Sequence, residues 1–151
     1  MLKREHLNKR LPNTLAHKQR DFSEYADVIT GLDYFYDVLT PGRVDVSNYI
    51  KLQAEKFLKD LEESILNPES TWVFSYEHAK QFLDFAHSLK QPSGDQGGEY
   101  FRLYKWQMGS FAAIYGFRRR KDSTERRYRD IIIFIPKKNG KSTLTSIIGL
   151  Y

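Results

Sequence analysis

The chain contains no cysteine. Disulfides and thiolate-built metal centres are therefore excluded, and a reducing cytosol fits this composition. No apolar run approaches the roughly 20 residues that a helix needs to cross a bilayer. The basic start, Met1-Leu2-Lys3-Arg4, is followed by no apolar h-region, so neither a membrane span nor a secretory leader is expected. The histidines His6, His17, His78 and His87 lack the paired helical spacing of a metal site and read as surface residues. No nucleophile-elbow pattern and no Ser-His-Asp arrangement is present, which leaves acyl-transfer chemistry without a candidate. No internal repeat is visible.

What is present supports one ordinary domain: 151 residues, 40% hydrophobic and 15% aromatic, enough to build a core. The net charge of +5 is unevenly placed. Lys3, Arg4, Lys9, Arg10, Lys18 and Arg20 stand against Glu5 alone in the first twenty residues. Arg118, Arg119, Arg120, Lys121, Arg126, Arg127 and Arg129 stand against Asp122 and Glu125. Two basic segments on a mildly acidic body point to a polyanionic partner; solvated loops are the plainer alternative.

Residues 1–22 show no apolar periodicity and read as a basic, flexible lead-in. A helical region over 23–90 follows. Tyr25, Val28, Ile29, Leu32, Phe35, Tyr36 and Leu39 recur at three- and four-residue spacing and predict a helix over 24–39, with Ser23 as N-cap. Asp33 and Asp37 fall opposite that apolar face and read as solvated charges. The same periodicity predicts helices over 47–66 and 76–89, capped by Ser47 and Ser75, with Trp72-Val73-Phe74 as a short extended or stapling segment. A Gly/Pro-rich loop covers 91–99, and the main internal boundary is placed there. Beyond it, 100–151 predicts an aromatic-rich helix over about 104–116 and then a short apolar run, Ile131 to Ile135. That run is rich in β-branched residues and bounded by Pro136, which predicts a strand buried on both faces. A last helix begins at Lys141.

The run from Ile131 through Pro136-Lys137-Lys138-Asn139-Gly140-Lys141-Ser142-Thr143 has the layout of strand, tight loop and helix that cradles a phosphate chain. Backbone N–H groups and the positive end of the helix dipole supply the donors. In that layout Gly140 permits close approach, Lys141 reaches the β- and γ-phosphates, and Ser142 offers its hydroxyl to Mg²⁺. The usual first glycine is missing: its position is Ile135. Upstream, Trp106-Gln107 opens the aromatic-rich helix. The glutamine amide can pair with the N6/N7 edge of adenine while the indole stacks on the ring. Core packing beside a surface amide is the plainer reading of the same pair.

Leu103-Tyr104-Lys105-Trp106-Gln107, the Arg126-Arg127-Tyr128-Arg129 run and Ile135-Pro136-Lys137-Lys138-Asn139-Gly140-Lys141-Ser142-Thr143 together resemble the N-terminal part of the large terminase subunit of tailed bacteriophages. Ala26-Asp27-Val28-Ile29-Thr30-Gly31 and the stretch Glu55 to Glu62 are similar to that family's lead-in, so the resemblance spans most of 20–151. It implies a protein of α/β class, mostly α in this chain: a helical segment leading into the first strand and P-loop of an incomplete P-loop NTPase sheet of the ASCE type.

The resemblance also implies ATP and Mg²⁺ as cofactors. The nucleotide would be bound by Trp106, Gln107, Pro136, Lys137, Lys138, Asn139, Gly140, Lys141, Ser142 and Thr143. Ser142 would serve the metal, and Lys141 and Lys137 the catalysis. Family members usually carry arginine where Lys137 stands; lysine keeps the charge and loses the planar fork. The implied activity is ATP-driven packaging of double-stranded DNA into procapsids, in an oligomeric ring with the portal protein and the small terminase subunit, in the cytoplasm of a bacterial host. A complete large subunit continues into a Walker B strand and a nuclease domain. This chain is therefore expected to be a fragment that does not turn over ATP usefully alone. Two alternatives stand beside this reading: a non-enzymatic basic helical module that binds nucleic acid or a partner through a vestigial loop, and another P-loop ATPase of helicase type. The basic 118–129 segment remains open between DNA phosphates, a neighbouring subunit and the nucleotide.

Overall fold

The computed structural model describes residues 22–91, 97–137 and 139–151. The lead-in predicted over 1–22, apart from its last residue, lies outside the described residues, as do Lys138 and part of the 91–99 loop. After a 3₁₀ turn at Phe22–Tyr25 come α1 (Ala26–Leu39), α2 (Asn48–Leu66), β1 (Trp72–Phe74), α3 (Tyr76–Ser88), α4 (Lys105–Gly116), β2 (Phe117–Arg119) and α5 (Lys141–Leu150). The described chain is mostly helical. β1 and β2 form an antiparallel pair with Trp72 opposite Arg119 and Phe74 opposite Phe117.

The predicted helices form because each carries one apolar stripe that finds a partner. Val28, Leu32, Phe35 and Val38 of α1, Phe57 and Leu61 of α2, Phe82 and Leu83 of α3, and Phe111 and Tyr115 of α4 meet in one core. α4 packs against both α1 and α3, so helices on either side of the 91–99 loop share that core. Phe57 lies centrally, 4.3 Å from the Phe35 ring and edge-on to Phe74 and Phe117, which joins the two-stranded pair to the helices. On the other side of α4, Tyr115 stacks on Phe82 at 3.8 Å, and Tyr151 caps the pair.

Ser75 caps α3 as expected, its hydroxyl accepting from the His78 backbone N–H at 3.3 Å. Ser47 occupies the N-cap position of α2 without a capping hydrogen bond. α1 starts later than its periodicity predicts, with Tyr25 rather than Ser23 at the N-cap. Tyr25 is buried, set edge-on to Tyr76, and donates its hydroxyl to Glu77 at 3.0 Å. That packing bends the chain before the helix and outweighs the capping preference.

Two expectations are corrected. Residues 131–135 are not a strand buried on both faces: they form no strand, and Ile132 and Phe134 are 93% and 99% exposed. Ile131, Ile133 and Ile135 pack against the helical core while the alternate side chains face outward. A ladder needs a neighbouring strand, and none of the described residues supplies one here, so only the period-two alternation survives. Asp37 is not solvated. It is buried and accepts from Arg43 at 3.1 Å and from Lys105, because the α1–α4 packing carries it under the start of α4.

Candidate functional site

α5 begins at Lys141 with Gly140 as its N-cap, in the left-handed region at φ 72°. A side chain there would find open space, so backbone conformation, not crowding, favours glycine at this position. With no side chain to cap it, α5 has no side-chain acceptor for its first-turn amides, which leaves a donor-rich helix end. Asn139 folds back across the preceding turn, its amide nitrogen 3.5 Å from the Pro136 and Lys137 carbonyl oxygens. Lys137, Lys141 and Ser142 are exposed, and Thr143 is half-buried. Leu144 and Ile147 anchor α5 in the core and fix where its amino end points.

The other half of the site belongs to α4. Gln107 is buried, and its carbonyl oxygen accepts from the Tyr104 backbone N–H at 2.8 Å, so the amide also satisfies the start of α4. Its plane is thereby fixed; the amide NH₂ and a second oxygen lone pair remain. Trp106 is partly buried against the core. Lys105, one residue earlier, pairs with buried Asp37 and ties this end of α4 to α1.

These two halves share one cleft. Trp106 and Gln107, with Phe101 and Tyr104, form one wall; Asn139, Gly140, Thr143 and Leu144 form the other, around a volume of about 300 Å³. An adjoining apolar cleft of about 330 Å³ runs between α1, α4 and residues 131–135, and Trp106 and Gln107 line it too. Ser142 faces a neighbouring hollow with Lys90 and Phe101. The structure therefore brings Trp106, Gln107, Asn139, Gly140 and Thr143 together, and sets Lys141, Ser142 and Lys137 at the exposed margin of the same loop.

Chemically, the cleft offers an aromatic face, an oriented amide and a helix amino end: a fit for a planar heterocycle joined to an anion. Among the described residues that line it, none carries a carboxylate. None of the described residues form a cluster of three or more His, Cys, Asp or Glu able to hold a metal. Magnesium usually takes one or two carboxylates plus phosphate oxygens and water. Ser142 is the ligand this loop offers, so the residues fit a magnesium ion carried by a nucleotide and not a protein-built metal centre.

The basic hairpin looks different in three dimensions than in the sequence. Arg119 and Arg129 both bind Glu125, at 2.6 and 2.7 Å. Arg127 binds Asp60 of α2 at 3.0 Å. Arg120 donates to the carbonyl oxygens of Ser70, Asn67 and Ser64, closing the carboxyl end of α2. Four of the six arginines in this segment are thus structural. Asp60 and the carbonyls met by Arg120 lie far along the chain, beyond what sequence spacing can show, whereas Glu125 lies within the basic segment itself. Among the described residues no helix is long and apolar enough to cross a membrane. No protein-family model, curated protein or solved structure matches the chain.

Proposed function

We propose that the chain is an ATP-binding module, with the purine against Trp106 and Gln107 and the phosphates at the amino end of α5. The observation that carries this reading is the single cleft that Trp106 and Gln107 share with Asn139, Gly140 and Thr143. Gln107, its oxygen already oriented by Tyr104, presents donor and acceptor to the adenine N6/N7 edge. Trp106 supplies the stacking face. The uncapped first-turn amides of α5 and the Lys141 ammonium take the phosphates, with Pro136, Lys137 and Asn139 shaping the loop around them. Ser142 meets the magnesium that accompanies the nucleotide.

Phosphoryl transfer to water needs an oriented nucleophile as well as charge neutralisation. With no carboxylate among the described residues lining the cleft, the proposed activity of this chain is binding without robust turnover. The wider reading rests on the motif Pro136–Thr143, the Trp106-Gln107 pair and the lead-in residues. It makes this module the N-terminal part of the ATPase of a phage large terminase subunit, acting on double-stranded DNA with the portal protein and small subunit inside a bacterial host. The rival, a basic nucleic-acid-binding module with a vestigial loop, is less favoured because most of the hairpin arginines are committed within the chain.

Calorimetric titration with Mg-ATP tests the proposal. ATP binds the unaltered chain; Lys141→Ala and Trp106→Ala each weaken it by about tenfold or more. Gln107→Leu removes the preference for ATP over GTP. Absence of ATP binding, or binding indifferent to Lys141→Ala, overturns the reading. Salt-dependent DNA binding that ignores both ATP and Lys141→Ala would install the rival in its place.

A further inference from the structure

Arg118 is the exception in the basic hairpin. It is only 7% exposed, and its Nε donates to the Tyr115 carbonyl oxygen at 3.2 Å. Its two terminal nitrogens donate to nothing among the described residues, and no carboxylate there pairs with it. Burial, and then the charge of Arg126, lower its pKa, with Tyr151 opposing in part. A buried guanidinium without a counter-charge is costly, and such groups are normally paired.

Arg118 lines a cleft of about 310 Å³ between β1, β2 and the amino end of α3, separate from the nucleotide cleft. Ser75 and His78 form the facing wall, with the Ser75 hydroxyl 2.8 Å from the His78 Nδ1. Within the first turn of α3, a helix of thirteen residues, Ser75 already takes the His78 amide; Tyr76, which opens the helix, lines the cleft as well, and Arg119 and Arg120 stand at the rim. Every formal charge that lines the cleft is positive or, on His78, able to become so; no acidic side chain lines it. A planar guanidinium fork opposite a helix amino end is the donor geometry that phosphate oxygens accept.

We propose that this cleft is a second anion site, binding a phosphate group through the Arg118 guanidinium and the amino end of α3. The chemistry is shared by free phosphate and by a phosphodiester of a nucleic-acid backbone. The site is independent of the ATP reading.

The test uses the full chain carrying Lys141→Ala, which suppresses phosphate binding at α5. Two-dimensional NMR follows the His78 backbone amide and the Arg118 Nε–H during titration with inorganic phosphate, and separately with a short double-stranded DNA, against sodium chloride at equal ionic strength. Saturable shifts of both signals with inorganic phosphate assign a free-phosphate site. Shifts with DNA at matched phosphate concentration and not with inorganic phosphate assign a backbone site. In either case Arg118→Lys, which keeps charge and loses the fork, weakens binding by about tenfold. Shifts that chloride reproduces, or no shift with either ligand, overturn the proposal. So does an Arg118→Lys protein that folds and binds as before. The shifts in the Arg118 protein decide the matter even if the substituted chain does not fold.

Discussion

Gly31 of α1 and Gly109 of α4 meet backbone to backbone. A β-carbon on Gly109 would lie 2.5 Å from the Gly31 carbonyl oxygen, and one on Gly31 would lie 2.6 Å from the Gly109 nitrogen. Each glycine weakens its own helix by roughly 1 kcal/mol relative to alanine, and the close crossing offsets that cost by letting the two helices pack without a gap. Because Trp106 and Gln107 sit less than one turn before Gly109, the crossing also sets where the aromatic wall of the candidate cleft stands. Gly109→Ala is expected to destabilise the fold by about 1–3 kcal/mol through overpacking, measured by urea denaturation. ATP affinity should fall in parallel. A variant as stable as the parent would mean that the helices can separate freely at this point.

Tyr76 presents a different case. Its hydroxyl is buried and has no hydrogen-bond partner among the described residues. Burial, then the neighbouring Tyr36, drive its pKa far above the ordinary tyrosine value. A buried hydroxyl left unsatisfied costs about 1–3 kcal/mol. Tyr76→Phe keeps the ring against Tyr25 and Phe74 and should leave stability unchanged or raise it by about 1 kcal/mol. A clear loss in thermal or chemical denaturation would refute this.

Arg120 and Arg119 are neighbours in sequence with unequal expected effects. Arg120 closes three carbonyl groups at the end of α2, whereas Arg119 pairs with Glu125 in an exposed setting. Arg120→Met should cost about 1–3 kcal/mol by stranding those acceptors. Arg119→Met should leave stability nearly unchanged, as exposed pairs do, and any small effect should shrink further in high salt. Equal losses in the two variants would contradict this assignment.

His78 should make stability depend on pH. Burial, and then the charge of Arg118, hold its pKa below the usual 6.5, with Glu77 opposing in part. The unfolded chain therefore takes up the proton first as pH falls. Stability is steady above about 6.5 and declines below that value until the folded protein is protonated as well. His78→Gln should flatten the stability–pH curve in that window. An unchanged slope between pH 6.5 and 5 would assign the dependence to other groups.

The helices were legible from the sequence because their apolar stripes are local and complete. α2, α3 and α4 fall within a residue of their predicted ends, and the Ser75 cap needed only its own neighbours. What escaped the sequence depends on partners far along the chain. Asp37 reads as a surface charge until Lys105, on another helix, packs over it. Nothing in the sequence pairs Gly31 with Gly109, which only the helix crossing puts in contact. Ile131 to Ile135 reads as a doubly buried strand because composition reports apolarity and not the presence of a neighbour. For the candidate site, the motif around Gly140 was visible in the sequence. That the Gln107 side chain folds back to accept from the Tyr104 amide was not, since this depends on its rotamer in the folded helix.

Residues 131–135 run directly into the loop that ends at Gly140, with three isoleucines seated on the helical body and two large apolar side chains facing outward. The segment is a short tether between the helical core and the loop before α5. A contact made from outside on Ile132 and Phe134 would therefore bear on a ribbon that carries the loop before α5 at one end and is seated on the helices by its alternate side chains.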